Sequence, residues 1–169
     1  VAWVTANLMP LLGVSPLVGR SFSTAEDVPN GPKVVVISEG MWRTRFGSDP
    51  NVVGKRLQVS GSAREIIGVM PERFRFPDAK TQIWIPQGLD PNSQFPGGFN
   101  HFGIARLKPG VTVEAAQRDF ANVLPRILEV SPTLAPGITT QMLLDQAKPV
   151  PKLVPLRDDV VGPISRTLW

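Results

Sequence analysis

Val34 to Ile37 is a β-branched run with no polar alternation, which predicts a strand covered on both faces rather than one lying at a surface. Ser38 follows as an N-cap candidate, and the next residues place Met41, Trp42 and Phe46 on one buried helical face before Gly47 ends the helix. Ser48-Asp49-Pro50-Asn51 is turn chemistry. Two further strands, Arg56 to Ser60 and Ala63 to Met70, flank Gly61-Ser62, a type II′ loop with glycine in its first central position. That loop sets Leu57 opposite Ile66 and Val59 opposite Arg64, so Leu57, Val59 and Ile66 share one face while Gln58 and Glu65 take the other. From Ile66 the run IIGVM is wholly apolar, and the second strand therefore passes into the core before Pro71 ends it.

On the N-terminal side, Val1 to Thr5 is β-prone, and Leu8, Met9, Leu11 and Leu12 form a short helical turn closed by Gly13. Gly13 to Arg20 reads as a tight loop, without the Gly-Lys-Ser/Thr that a phosphate loop requires. Phe22 to Pro32 is a polar connection whose Glu26-Asp27 pair reads as an exposed turn, since a cation site needs more oxygen ligands at loop spacing.

On the C-terminal side, Ile83 to Pro86 is a short strand, and Gln87 to Asn100 is a mobile loop rich in Gly, Pro, Asn and Ser. Phe102 to Leu107 predicts a strand, Lys108-Pro109-Gly110 a turn, and Thr112 caps the longest helix. In that helix Ala116, Phe120, Val123, Leu124, Ile127 and Leu128 make one buried stripe, and Pro125 stops or kinks it. Ser131 to Gly137 is a breaker, with strand candidates at Thr139 to Leu144 and Lys152 to Leu156.

Composition narrows the function. The chain has 42% hydrophobic and 19% charged residues over 169 positions, ordinary values for a globular core, and no cysteine, so neither disulfides nor thiolate chemistry is available. Its net charge of +4 is spread singly, as at Arg20, Lys33 and Arg64, and tyrosine is absent, which argues against nucleic acid as a partner. The serines lack a nucleophile elbow and the single histidine, His101, lacks metal-ligating neighbours; Glu65, Glu72 and Asp78 are the nearest approach to a carboxylate cluster. No metal or cofactor is expected. The loop aromatics Phe95 and Phe99, with His101 and Phe102, are the candidate contact residues for a partner or substrate.

The order LLGVSPLVGRSF, an acidic turn, KVVVIS, MWRTRFGSDPNVVGKRL, a hairpin, EIIGVMPERFRFP and IWIPQ resembles the MacB-type periplasmic core domain of ABC-transporter permeases, in particular its duplicated-permease branch. The resemblance is specific from Leu8 to Pro86 and looser beyond. It implies an α+β fold of mixed sheets and short helices in two small lobes, 13–86 and 1–12 with 100–169, forming one non-catalytic extracytoplasmic domain inserted between two transmembrane helices. It also implies the ABC ATPase subunit and the permease's transmembrane regions as partners, with a periplasmic adaptor, an envelope substrate and a dimeric transporter left open. The role so implied is docking partners or transmitting movement; an envelope lipid, peptide or glycan binding module is the alternative, and a hydrolase a distant third. The chain begins at Val1 without an initiator Met and ends on Leu168-Trp169, which reads as a piece of a longer protein with both ends directed at a membrane on one side of the fold.

Overall fold

The computed structural model describes residues 1–90, 101–126, 129, 133–135, 137–148 and 150–159. The chain divides into two compact units, Val1–Gln94 and Phe95–Trp169.

The first unit is built on a six-stranded mixed sheet. Its elements are β1 (Ala2–Val4), α1 (Leu8–Leu12), β2 (Val18–Gly19), β3 (Val34–Ser38), α2 (Glu39–Phe46), β4 (Arg56–Val59), β5 (Ser62–Met70) and β6 (Ile83–Pro86). The strand order is β1-β6-β3-β5-β2, with β4 also paired to β5. β3 lies between β6 and β5, and Val35, Val36 and Ile37 have no exposed surface, as their unbroken apolar run requires. On one face Val35, Ile37, Leu57, Val59, Ile66, Val69 and Ile85 form a core, closed by Met41, Trp42 and Phe46 of α2. On the other, Val36 pairs with Trp84, whose ring packs 5.1 Å from Phe74 and whose indole N–H donates to the Phe76 carbonyl at 2.8 Å.

Helix α2 begins and ends where its caps dictate. Ser38 Oγ accepts from Met41 N at 3.1 Å, and Gly47 takes a left-handed φ of 59° that turns the following Ser48 N–H back to donate to Trp42 O at 3.1 Å. Glu39 and Arg43 tie the helix to the end of β5, since Glu39 accepts from Glu72 N at 2.9 Å and Arg43 bridges Glu39 and Glu72.

The hairpin differs from the sequence expectation. Val59 pairs with Ser62 and Leu57 with Arg64, so the loop is Ser60-Gly61. Both residues have positive φ, 51° and 76°, the signature of a type I′ turn, whose backbone twist matches that of the strands. Moving the loop by one residue shifts the pairing by two, which preserves the faces. Leu57, Val59 and Ile66 remain inward.

Gly13 to Arg20 is not wholly loop, because Val18 and Gly19 pair with Val69 and Gly68 as β2. The stretch is too short for a periodic signal. Two glycines face each other in this register, and a Cβ on Gly19 would run into the Ile67 carbonyl, one on Gly68 into the Arg20 carbonyl. Gly19, at φ 73°, is also in a conformation that disfavours side chains. Residues 1–12, which the family pattern groups with 100–169, are bonded into this first unit through the parallel β1–β6 pair.

In the second unit, α3 (Val113–Val123) starts at Thr112, whose Oγ1 accepts from Ala115 N, and gives way at Pro125 to a 3-10 turn, Leu124–Arg126. β7 (Thr133–Ala135) and β8 (Ile138–Thr139) pair, then α4 (Thr140–Ala147) follows. Five sequence expectations fail here. Phe102 to Leu107 forms no strand; part of the Ser131 to Gly137 breaker is β7; Lys152 to Leu156 has no strand. The Thr139 to Leu144 strand candidate is mostly helix, because Thr139 Oγ1 accepts from Met142 N at 3.1 Å and so acts as an N-cap. At Phe120 and Val123 the predicted stripe is 48% and 51% exposed rather than buried, and its last positions, Ile127 and Leu128, lie outside the described residues.

Trp42 is only half-buried, and its indole N–H donates to Asp49 O at 2.8 Å. The ~3–5 kcal/mol of a fully buried aromatic therefore does not apply, and Trp42→Ala should cost about 2 kcal/mol from partial packing and one lost hydrogen bond. Urea melts of the two proteins measure this; a loss above about 4 kcal/mol would mean full burial.

Candidate functional site

The residues that the sequence singles out are described only in part. Phe95 and Phe99 lie outside the described residues. His101 is exposed and already engaged in a contact, and Phe102 is exposed over its whole surface, 101%. Among the described residues no group of three metal-ligating side chains assembles. The three candidate carboxylates are taken up separately: Glu72 pairs with Arg43 at 3.0 Å, Asp78 accepts from Lys80 N at 2.7 Å, and Glu65 is exposed on β5 opposite Arg56.

The acidic pair Glu26-Asp27 is structural rather than an exposed turn. Both Glu26 oxygens meet Arg20, at 2.7 and 2.9 Å, and Oε2 also accepts from Ser23 N and Oγ. Asp27 accepts from Ala6 N at 2.7 Å and Gly88 N at 2.8 Å, fastening the connection to the N-terminal segment and to the residues after β6. These orphan backbone donors are what sequence alone could not reveal. The Arg20 guanidinium, aided by Ser23, holds the Glu26 carboxyl down at about 2 against the opposing effect of burial.

Beside this knot lies a cavity of about 110 Å³, lined by Trp3, Glu26, Lys33, Arg64 and Gly88 among others. Arg64 is 6% exposed, and its guanidinium carbon sits 5.3 Å from the centre of the Trp3 ring. Sequence reasoning passed over this group, although its signal was present: Arg64 shares the inward face of β5 with Ile66.

A sheet buried on both faces, with its connections fastened by loop carboxylates, defines an α+β scaffold domain. Residues 1–123 match the family model described as the MacB-like periplasmic core domain, and the chain belongs to that family. It is thus an extracytoplasmic domain of a MacB-like ABC-transporter permease. Among solved structures, it is similar to the periplasmic region of MacB from Actinobacillus actinomycetemcomitans, at 15% identity and a TM-score of 0.51 over 89% of this chain and 65% of that one. Two more are a domain of a putative permease from Porphyromonas gingivalis (20% identity, TM-score 0.49, 73% and 52% covered) and the extracellular domain of the transporter YknZ from Gram-positive bacteria (22%, 0.42, 54% and 44%). The chain spans less than two-thirds of the length of each of these structures. No curated protein matches it. Among the described residues no helix is long and apolar enough to cross a membrane.

The depressed Glu26 value predicts acid sensitivity. A carboxyl lowered on folding contributes stability that is complete above its unfolded value, near 4.5, and is lost as pH falls toward 2. Because Arg20 is 57% exposed, the contribution should be about 2 kcal/mol rather than the full linkage value. Melting curves from pH 5 to pH 2 should show Glu26→Gln less stable than the parent at pH 5, with the gap closing by pH 2; a constant gap would contradict the assignment.

Proposed function

We propose that residues 1–169 form one extracytoplasmic domain set between two membrane helices of the permease, acting as a non-catalytic body that docks partners and carries movement between membrane and periplasm. Family membership supports the transporter setting. Packing supports the mechanical part, because a close-packed sheet resists deformation and passes displacement on instead of absorbing it. The partners we propose are the ATPase subunit and transmembrane regions of the same permease, acting through the body, and a periplasmic adaptor at its outer surface.

The observation that carries the docking role is the exposure of Phe102, together with Phe120 and Val123 in the same unit. Large apolar side chains left in water cost solubility, and a partner that covers them recovers that burial. The stretch 87–102, whose sequence reads as a loop and whose last residue is Phe102, is the part proposed to meet the partner.

In the full-length permease, Phe102→Ala should lower transport about tenfold, the effect of losing an aromatic anchor at an interface. The same change should leave the isolated domain's stability within about 0.5 kcal/mol, as for a surface substitution. Transport unaffected by Phe102→Ala would overturn the docking role of this loop.

A further inference from the structure

Arg64 is a buried cation without a counter-ion among the described residues. It projects from β5 onto the same face as Ile66, and its Nε is buried with no hydrogen-bond partner there. Trp3 satisfies only one aspect of the group, since an aromatic ring covers the flat face of a guanidinium and leaves its N–H edge in need of acceptors. Burial lowers the Arg64 value from its ordinary position, yet arginine keeps its proton throughout the physiological range.

The nearby carboxylates are already committed. Glu26 lines the same cavity, but its oxygens are held by Arg20 and Ser23. Asp27 is bonded to Ala6 N and Gly88 N. Glu65, next in the chain, faces the opposite side of β5 and is exposed. Lys33, exposed at the cavity, adds a second positive charge. With Glu26 paired to Arg20, the charges left on the cavity lining, Arg64 and Lys33, are both positive.

We propose that the cavity beneath Trp3 binds a carboxylate, with Arg64 as its anchoring donor and Lys33 at its rim. A cavity of about 110 Å³ has room for a carboxylate on a short stem. The planar fork of arginine matches a carboxylate edge with two parallel hydrogen bonds. A single buried charge also balances a monoanion better than a phosphate dianion. The carboxylate comes from an acidic side chain of a partner polypeptide or from a free small acid, and the chemistry of capture is shared.

The test uses the 169-residue chain labelled with ¹⁵N-arginine, with the Arg64 Nε–H signal assigned by its loss in Arg64→Met. Sodium acetate and a capped pentapeptide with one glutamate side chain should each move that signal saturably, with half-saturation in the millimolar range, about what one charged bidentate contact gives. Sodium chloride at matched ionic strength should not. Saturation by the peptide at tenfold lower concentration identifies a partner chain as the source; saturation by both at similar concentration identifies a free acid. Movement with inorganic phosphate but not with acetate, or with no anion at all, overturns the proposal. Thermal melts supply the second readout. Arg64→Met should melt within about 2 °C of the parent or higher, because an uncompensated buried charge is removed, and should lose the acetate-induced rise in Tm. A purely structural Arg64 would give the opposite pattern, a fall of more than about 5 °C in the variant and no acetate response in the parent.

Discussion

The backbone approach between β2 and β5 is the constraint on which the first unit depends. β5 pairs with β2, β3 and β4, so its position sets the register of half the sheet. Between its parallel pairings to Val35 and Val36 the register skips Ile67, a bulge whose carbonyl accepts from Arg20 N at 2.9 Å. Immediately beside it Gly19 faces Gly68, and neither position has space for a side chain. The bulge thus turns β5 so that it can receive β2. Arg20, following directly, is delivered to Glu26, and the fold of the loop and the register of the sheet are one arrangement.

That arrangement explains the uneven distribution of charge. Glu26 and Asp27 are spent on holding the 22–32 connection against Arg20, Ala6 and Gly88. They are consequently withdrawn from Arg64, which lies at the same cavity with only Trp3 over its face. A protein optimised for stability alone would replace such a group with an apolar one of similar volume. Its retention beside a cavity whose other uncommitted charge, Lys33, is also positive is the physical reason to look for chemistry there, while the exposed Phe102 marks a surface in the second unit.

Much of the first unit was legible in the sequence because local signals agreed with the fold. The β-branched run at Val34, the Ser38 cap, the Gly47 stop and the alternation Leu57, Val59, Ile66 each carry their own physical cause. What could not be read depends on partners distant in sequence. The hairpin loop turned on whether Ser60 accepts a positive φ, β2 on a pairing of two residues, and the roles of Glu26 and Asp27 on backbone donors at Ala6, Ser23 and Gly88. In the second unit the Thr139 hydroxyl turned an apparent strand into a helix. The α3 stripe was a true amphipathic pattern, but periodicity reports which face is apolar and not whether anything covers it. Of the candidate contact residues, Phe102 is placed in solvent, whereas Arg64, inward in the alternation, was counted among scattered surface charges.

The β3–β5 pair, buried at the middle of the sheet, is the centre of the first unit. Native-state amide hydrogen exchange measures its rigidity residue by residue. The amides of Val35 to Ile37 and of Ile66 to Met70 should exchange only through global unfolding, with protection that falls in parallel with added denaturant. Those of α3, whose apolar face is half in water, should open at lower free energy. Exchange of the β3 and β5 amides as fast as those of α3 would contradict the account, because no rigid centre would then exist to carry movement or to hold the Arg64 cavity open.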